Sequence, residues 1–495
     1  LGERRGVIYA IAPSRFSAKD VWVGTDDGLI WRSRDDGKHW ADVTPKALTP
    51  WSKVGLIEAG HFSADTAYVA VDWHRLDDYR PYIYRTHDGG KTWAPIVAGI
   101  PDGSFVNAVR EDPVKQGLLY AGTELGMYLS FDDGDHWQPL QMNLPVTSIR
   151  DMEIHRDAWS DDLVIATHGR AFWVLDDLSS LRQLDSLGDA AAALFKPDTA
   201  MRMHLPQFTG TPMHKDEPKA PNPPQGAVLD YWLKADVPAP VTLDIVDANG
   251  KVLRHFSSGD KQTAPDLAKI DATPEWFPQP TPLLAGAGLH RFVWDLRYAA
   301  PDALGGEDGV WILPGSYTAK LTVDGKTYSQ PLTVKNDPRV KATQADLAKQ
   351  QALAFEVQAE GARLAGTVEE VSGTLKQLAA LEAKVPVDLA TQLRSFELAI
   401  TQHTELRAVP AGFGQPGSAP EQVGSLAYVE RALEALQPAV ENADGAPSQD
   451  AQKGFALQKA KAERAIADWQ KLKAAREPGL NAALQAAGQP ALGGK

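Results

Sequence analysis

Cysteine is missing from all 495 positions. Its absence excludes disulfides, thiolate metal sites and a cysteine nucleophile. Long apolar runs are missing too, and no stretch of 18 apolar residues could cross a bilayer as a helix. An excess of basic charge is lacking, because 50 Lys and Arg face 64 Asp and Glu for a net charge of −14. The acidic residues are spread along the chain, which disfavours nucleic acid and anionic membrane as partners. No Walker loop, G-x-S-x-G elbow or H-E-x-x-H pair occurs. No spaced His or carboxylate signature marks a metal site, so neither metal nor cofactor is expected. No initiator Met or signal peptide precedes the apolar stretch Val7–Ile11, which reads as the chain having been trimmed.

What is present is tryptophan, 14 of them, in a chain long enough for about three domains. The tryptophans point to a repeat. Ser33-Arg34-Asp35-Asp36-Gly37-Lys38-His39-Trp40 recurs as Thr86-His87-Asp88-Gly89-Gly90-Lys91-Thr92-Trp93 and again as Ser130-Phe131-Asp132-Asp133-Gly134-Asp135-His136-Trp137. The shared pattern is [S/T]-x-D-x-G-x-x-W, the Asp box. Its spacing is close to the ~40–50 residues of a four-stranded propeller blade. A degenerate fourth repeat runs through Thr167-His168-Gly169-Arg170, with Asp176-Asp177 where the box should be. Its outer strand is assigned to Ala193–Met203. Within each box the Asp accepts N–H groups of its own turn, Gly takes the φ > 0 position and Trp packs into the blade. Ser33, Asp35, Gly37, Trp40, Thr86, Asp88, Gly90, Trp93, Ser130, Asp132, Gly134 and Trp137 are therefore read as structural rather than catalytic.

These boxes, together with the stretches Val71–Tyr82, Thr123–Gly126 and Ala166–Trp173, resemble the bacterial sortilin-like (VPS10-type) BNR/Asp-box propeller family. Its members are often labelled glycosyl hydrolases by similarity to sialidases and xyloglucan-cleaving enzymes. The resemblance extends over nearly the whole chain and implies an exported, periplasmic or extracellular protein. It specifies an architecture more than an activity.

Propeller connectivity sorts the loops. The turns between second and third strands should gather on one face, opposite the boxes. Asp26, Glu124 and His168 take equivalent places there, with Arg170 beside His168. The corresponding turn of the second repeat is expanded into His74-Arg75-Leu76-Asp77-Asp78-Tyr79-Arg80. A polar, aromatic-flanked loop on a rigid scaffold is a common binding device. Asp26, His74, Arg75, Tyr79, Arg80, His168 and Arg170 are the candidate ligand-binding residues. Glycoside hydrolysis would need two carboxylates about 5–9.5 Å apart, depending on the stereochemical outcome. Glu124 with Asp77 or Asp78 is the pair available for it. Simple solvated turn chemistry is the alternative for all of them.

Beyond the repeats, residues 205–225 read as a Pro-rich linker. Alternating strands over 226–337 suggest a β-sandwich of immunoglobulin-like type, similar to the flagellar-hook-cap module. From 338 to 495 the apolar spacing turns helical, with breaks that leave about four helices in an antiparallel bundle and a mobile loop at Gly412–Pro420. The expectation is a mainly β protein with about four blades over residues 1–204, a sandwich and a bundle. Four blades left open would expose strand edges, so an N-terminal segment, continuous or as a cleaved chain, is expected to complete the ring. Three functions stay open: a glycan- or peptide-binding propeller, a glycoside hydrolase, or a structural assembly component.

Overall fold

The structure is a computed structural model that describes residues 6–157, 161–204, 220, 222–261, 282–304, 309–406 and 422–493. It is mainly β, with many small sheets and a C-terminal helical region. The chain divides into two compact units, residues 1–196 and 197–495.

The first unit is a series of antiparallel meanders, each strand pairing with the next in sequence. The first sheet comprises β1 (Ile8–Pro13), β2 (Val21–Thr25), β3 (Ile30–Ser33) and β4 (Ala41–Asp42). The second comprises β5 (Lys53–Ala59), β6 (Ala67–Asp72), β7 (Ile83–Thr86) and β8 (Ala94–Pro95). The third comprises β9 (Val106–Glu111), β10 (Leu119–Thr123), β11 (Met127–Ser130) and β12 (Gln138–Pro139). The fourth has three strands, β13 (Ile149–Arg156), β14 (Asp161–Thr167) and β15 (Phe172–Leu175).

Side-chain alternation explains how these sheets stack. On β6, Ala67, Val69 and Val71 pack toward the first sheet, while Tyr68 and Ala70 pack toward the third. On β10, Leu119 and Ala121 face the second sheet and Tyr120 the fourth. A strand covered on both faces reads as continuously apolar, and both are buried along their length. Each buried Val or Leu contributes on the order of 1.5–3 kcal/mol. The outermost faces differ. Tyr9 and Ile11 of β1, and Phe172 and Val174 of β15, are exposed.

One irregularity repeats in all four sheets. The innermost strand skips one residue near its start, and the skipped residues are Tyr9, Gly55, Asn107 and Arg150. A bulge of this kind re-aims the side chain it carries.

After β15 the chain leaves the repeat pattern. Asp176-Asp177 lacks the box Gly and Trp, and a 3-10 segment, Leu181–Leu187, follows instead of a box turn. The sequence assigned Ala193–Met203 as an outer strand of this sheet. The structure has two short strands there, β16 (Ala192–Leu194) and β17 (Ala200–Arg202). β17 runs parallel to residues 334–336 of the second unit, so residues 197–204 belong with that unit and not with the meanders.

In the second unit, β18 (Ala227–Leu233) pairs with β21 (Gly288–Trp294). A five-stranded sheet has the order β17, β23 (Lys326–Asn336), β22 (Gly315–Val323), β19 (Thr242–Val246), β20 (Val252–Ser257). Among the described residues four helices follow: α1 (Gln344–Glu382), α2 (Val387–Thr404), α3 (Leu426–Glu441) and α4 (Gln449–Ala486). Thr343 and Asp346 form a reciprocal capping box at the start of α1. The buried Leu364, Val371, Phe396, Val429 and Trp469 knit the helices into one core. The linker at 205–225, apart from 220 and 222–225, and the loop at Gly412–Pro420 lie outside the described residues.

Candidate functional site

The three Asp boxes form the same hydrogen-bonded turn. Ser33, Thr86 and Ser130 each accept the N–H of the box glycine, Gly37, Gly90 or Gly134, at 2.9–3.0 Å. Asp35, Asp88 and Asp132 accept the N–H four residues on, from His39, Thr92 and His136. The His39 side chain and backbone hold the Asp35 carboxyl down at about 2, and those of Thr92 do the same for Asp88. Trp93 donates to the Val43 carbonyl at 2.7 Å and Trp137 to that of Ile96 at 2.9 Å, each reaching back to the preceding sheet. Trp40 instead donates to Gly37 of its own box and is 44% exposed. These carboxylates are consumed by their turns.

The opposite ends of the strands hold a different repeat. Thr25, Thr123 and Thr167 each donate to the carbonyl closing the second turn, that of Leu29, Gly126 or Ala171. The N–H of Asp26, Glu124 and His168 then donates to the residue entering the inner strand, Val7, Phe105 or Ser148. In the second sheet Asp72 replaces the Thr, and the turn expands into a 3-10 segment over His74–Leu76.

Asp72 is buried and accepts from the His74 N–H, while its carboxylate meets His74 Nδ1 at 2.6 Å. A neutral imidazole held this way carries its proton on Nδ1 and presents Nε2 as an acceptor. The His74 ring stacks on Phe105 at 5.0 Å, and Tyr79 leans on the same ring at 6.2 Å. The Phe105 carbonyl is the acceptor for Glu124 N–H. Phe105 thus carries the His74 and Tyr79 rings on its side chain and the Glu124 N–H on its carbonyl, joining the second sheet to the third.

Glu124 is closely held. Ser148 Oγ donates to Glu124 Oε2 at 2.6 Å, and Arg150 stands 3.6 Å from the same oxygen. Arg150 also donates to Asn107 Oδ1 at 3.4 Å. Asn107 and Arg150 are two of the four bulge residues, which is how the inner strands bring them to this carboxylate. Sequence reasoning missed Asp72, Phe105, Asn107, Ser148 and Arg150. A bulge has no sequence signature here, and Phe105 stands outside the repeated motifs.

The other candidates are held by other partners. Asp78 is bound by Arg80 through its N–H, Nε and Nη2, and by the Tyr82 hydroxyl. The Arg80 side chain above all holds the Asp78 carboxyl well below the usual carboxylate range. Burial, then the hydrogen bond to Asp78, pushes Tyr82 up to about 12. Asp77 ends the 3-10 segment in the left-handed region, φ 63°, and Arg75 is exposed. Among the described residues no hydrogen bond or ion pair joins Glu124 to Asp77 or Asp78. Asp26 accepts the Val7 N–H at 2.7 Å and so fastens β1. His168 and Arg170 are exposed, and the Arg170 carbonyl accepts Trp173 Nε1. Among the described residues no group of three or more His, Asp or Glu is arranged to hold a metal ion.

No family model matches the chain. A curated relative, the oligoxyloglucan-reducing end-specific xyloglucanase of Emericella nidulans, is 27% identical over 109 residues, covering 21% of this chain and 13% of that protein. Among solved structures, an ancestral GH74 enzyme matches at 14% identity over 66% of this chain and 40% of its own, with a TM-score of 0.25. YCF48 from Cyanidioschyzon merolae matches at 19% identity over 34% of this chain and 53% of its own, with a TM-score of 0.26. These neighbours are β-propeller proteins.

Proposed function

We propose that the first unit is part of an Asp-box β-propeller that binds a glycan or peptide on the face bearing the His74–Arg80 loop and Glu124. The observation that supports binding over hydrolysis is the engagement of the carboxylates. Glu124 is held by Ser148 and Arg150, and Asp78 by Arg80 and Tyr82. A hydrolase needs one carboxyl able to give a proton and a second to attack or activate water. Here the rigid, hydrogen-bonded carboxylates serve instead as acceptors for ligand hydroxyl or amide groups, and the exposed Tyr79 ring of the His74–Arg80 loop offers an apolar face. The test is a panel of oligosaccharides and peptides screened for binding and turnover. Binding without turnover, lost in Tyr79→Ala, is expected.

The second reading is a glycoside hydrolase, favoured by the short stretch shared with a xyloglucanase. Release of new reducing ends from xyloglucan, abolished by Glu124→Gln, would establish it and sink the binding reading.

The remaining parts of the proposal concern assembly. Trp93 and Trp137 each dock on the carbonyl of a preceding sheet, whereas Trp40 does not. Further blades from an N-terminal segment, joined or as a separate chain, supply that acceptor and cover Tyr9 and Ile11. The strands of the second unit form an immunoglobulin-like sandwich braced by the helices, and the parent protein is exported to the periplasm or beyond. No described helix is long and apolar enough to cross a membrane. Co-purification of native material with blade-bearing sequence N-terminal to this chain is the expected result, and native material consisting of this chain alone with its four blades closed into a ring would refute it.

A further inference from the structure

The three junctions between successive sheets of the first unit are built alike. On each inner strand the residue before the bulge and the second residue after it face the preceding sheet. These pairs are Val54 and Ile57, Val106 and Val109, and Ile149 and Met152, all buried. Each pair fills a notch on the middle strand of the sheet before it. A Cβ on Gly24 would lie 2.3 Å from Val54 Cγ1 and 3.1 Å from Ile57 Cδ1. One on Gly122 would lie 2.6 Å from Ile149 Cγ2 and 2.8 Å from Met152 Cε. Ala70 holds the same register in the second sheet and packs in one core with Val106 and Val109. Opposite these small residues, on the third strands, stand Ile30, Ile83 and Met127, all wholly buried. A notch, its flanking apolar side chain and a pair of knobs therefore recur at every junction, as close packing requires.

Two halves of this contact are left over. At the start of the series the knobs are Ile8 and Ile11, 58% and 66% exposed. At its end the notch is Ala166, with Phe172 opposite it on β15. Phe172 is 74% exposed where its three counterparts are at 0%, and Val174 on the same face is exposed too. An apolar face of this kind marks a contact. It continues the stacking of the first four sheets, so the occupant that fits it is a further sheet of the same kind.

We infer that the outer face of the fourth sheet is a docking surface for the first Asp-box blade of the N-terminal segment, whose inner strand brings two apolar residues into the Ala166 notch. The inference rests on the reading above that such a segment supplies further blades. It adds where the far end of that segment goes. The near end takes Ile8 and Ile11, the far end returns to Ala166 and Phe172, and the ring is left without an open face. The docking strand carries apolar residues three apart, as Val54–Ile57, Val106–Val109 and Ile149–Met152 do.

Hydroxyl-radical footprinting of the native assembly, against this chain alone, reads both ends at once through Tyr9 and Phe172. Both should be oxidised in the chain alone. Each should be protected at least about fivefold in the native assembly, as expected of a contact packed like a protein interior. Ala166→Ile fills the notch at a half-buried strand position, and it should restore Phe172 oxidation while Tyr9 stays protected. If that variant lowers the thermal midpoint of the chain, Phe172→Ser takes its place, read as faster hydrogen exchange of β15 in the native assembly. Tyr9 protected with Phe172 open would overturn this inference and leave the N-terminal blades standing, whereas neither protected would overturn both. Protection of Phe172 in the chain alone, or in native material made of two copies of this chain, would give the face another occupant and overturn the inference. Unchanged protection in Ala166→Ile would overturn it as well.

Discussion

Replacing Arg182 with methionine should cost the first unit about 3 kcal/mol. Arg182 lies on the 3-10 segment after β15 and ties the third sheet to the fourth. Its Nε donates to Asp112 at 2.9 Å and its Nη2 to Asp161 at 2.8 Å. Asp112 is wholly buried, Asp161 nearly so, and Arg182 itself is 9% exposed. Burial works against the guanidinium charge, yet the hydrogen bonds and charges of Asp161 and Asp112 outweigh it and raise the Arg182 pKa. Removing one partner from such a network typically costs 3–5 kcal/mol, because the remaining charges stay buried without compensation. Asp112 keeps the Val114 and Lys115 N–H groups and the Tyr120 hydroxyl, which argues for the low end of that range. With a urea dependence of about 1–3 kcal/mol/M, the midpoint should fall by roughly 1–3 M. Tryptophan fluorescence follows the transition, and hydrogen exchange at Leu119–Thr123 localises it. Adding Asp112→Asn and Asp161→Asn to the variant should recover at least about 1 kcal/mol, since the stranded charges are then gone. A loss below about 0.5 kcal/mol in Arg182→Met would refute the view that this residue locks the two sheets together.

Acid should loosen the box turns over a defined window. Asp35 and Asp88 titrate near 2 when folded and near 3.9 when unfolded. The unfolded chain therefore binds more protons between those values, and the stability these groups supply is present above about pH 4 and lost as pH falls toward 2; thermal midpoints across that range should flatten in Asp35→Asn and Asp88→Asn. Gly99→Ala and Gly103→Ala should separate steric clash from backbone strain. Both glycines have positive φ, but a Cβ at Gly99 would lie 2.1 Å from the Trp137 carbonyl oxygen whereas none at Gly103 meets an atom within 4 Å. The first should cost more than about 2 kcal/mol and the second about 1 kcal/mol, and equal midpoints in urea would count against the reasoning. Asp72→Asn should release His74 from its fixed tautomer, read as a change in the imidazole nitrogen shifts, and an unchanged spectrum would mean that Asp72 does not orient the ring.

Local chemistry was legible in the residue order. Ser33, Asp35 and Gly37 lie so close along the chain that the box turn closes on itself, and the same holds at Thr86 and Ser130. The apolar spacing of Leu347, Val357, Leu364 and Val371 encodes a buried helix stripe without any partner being known. Partners far apart in sequence were decided only by the tertiary structure. The sequence could offer Glu124 as a carboxylate, but a bulge on each of two inner strands brings Asn107 and Arg150 to it. Asp78 and Arg80 are near neighbours in sequence, yet only the folded turn joins them as an ion pair. The three residues of β17 carry no signal strong enough to choose a sheet, so register with Val334–Asn336 settles where they belong. Gly24 and Val54, like Gly122 and Ile149, have nothing in common as a motif, each pair being spread over two repeats. They meet because equivalent strand positions face each other when sheets stack, and convergence of that kind is a property of the packing, not of any segment of the chain.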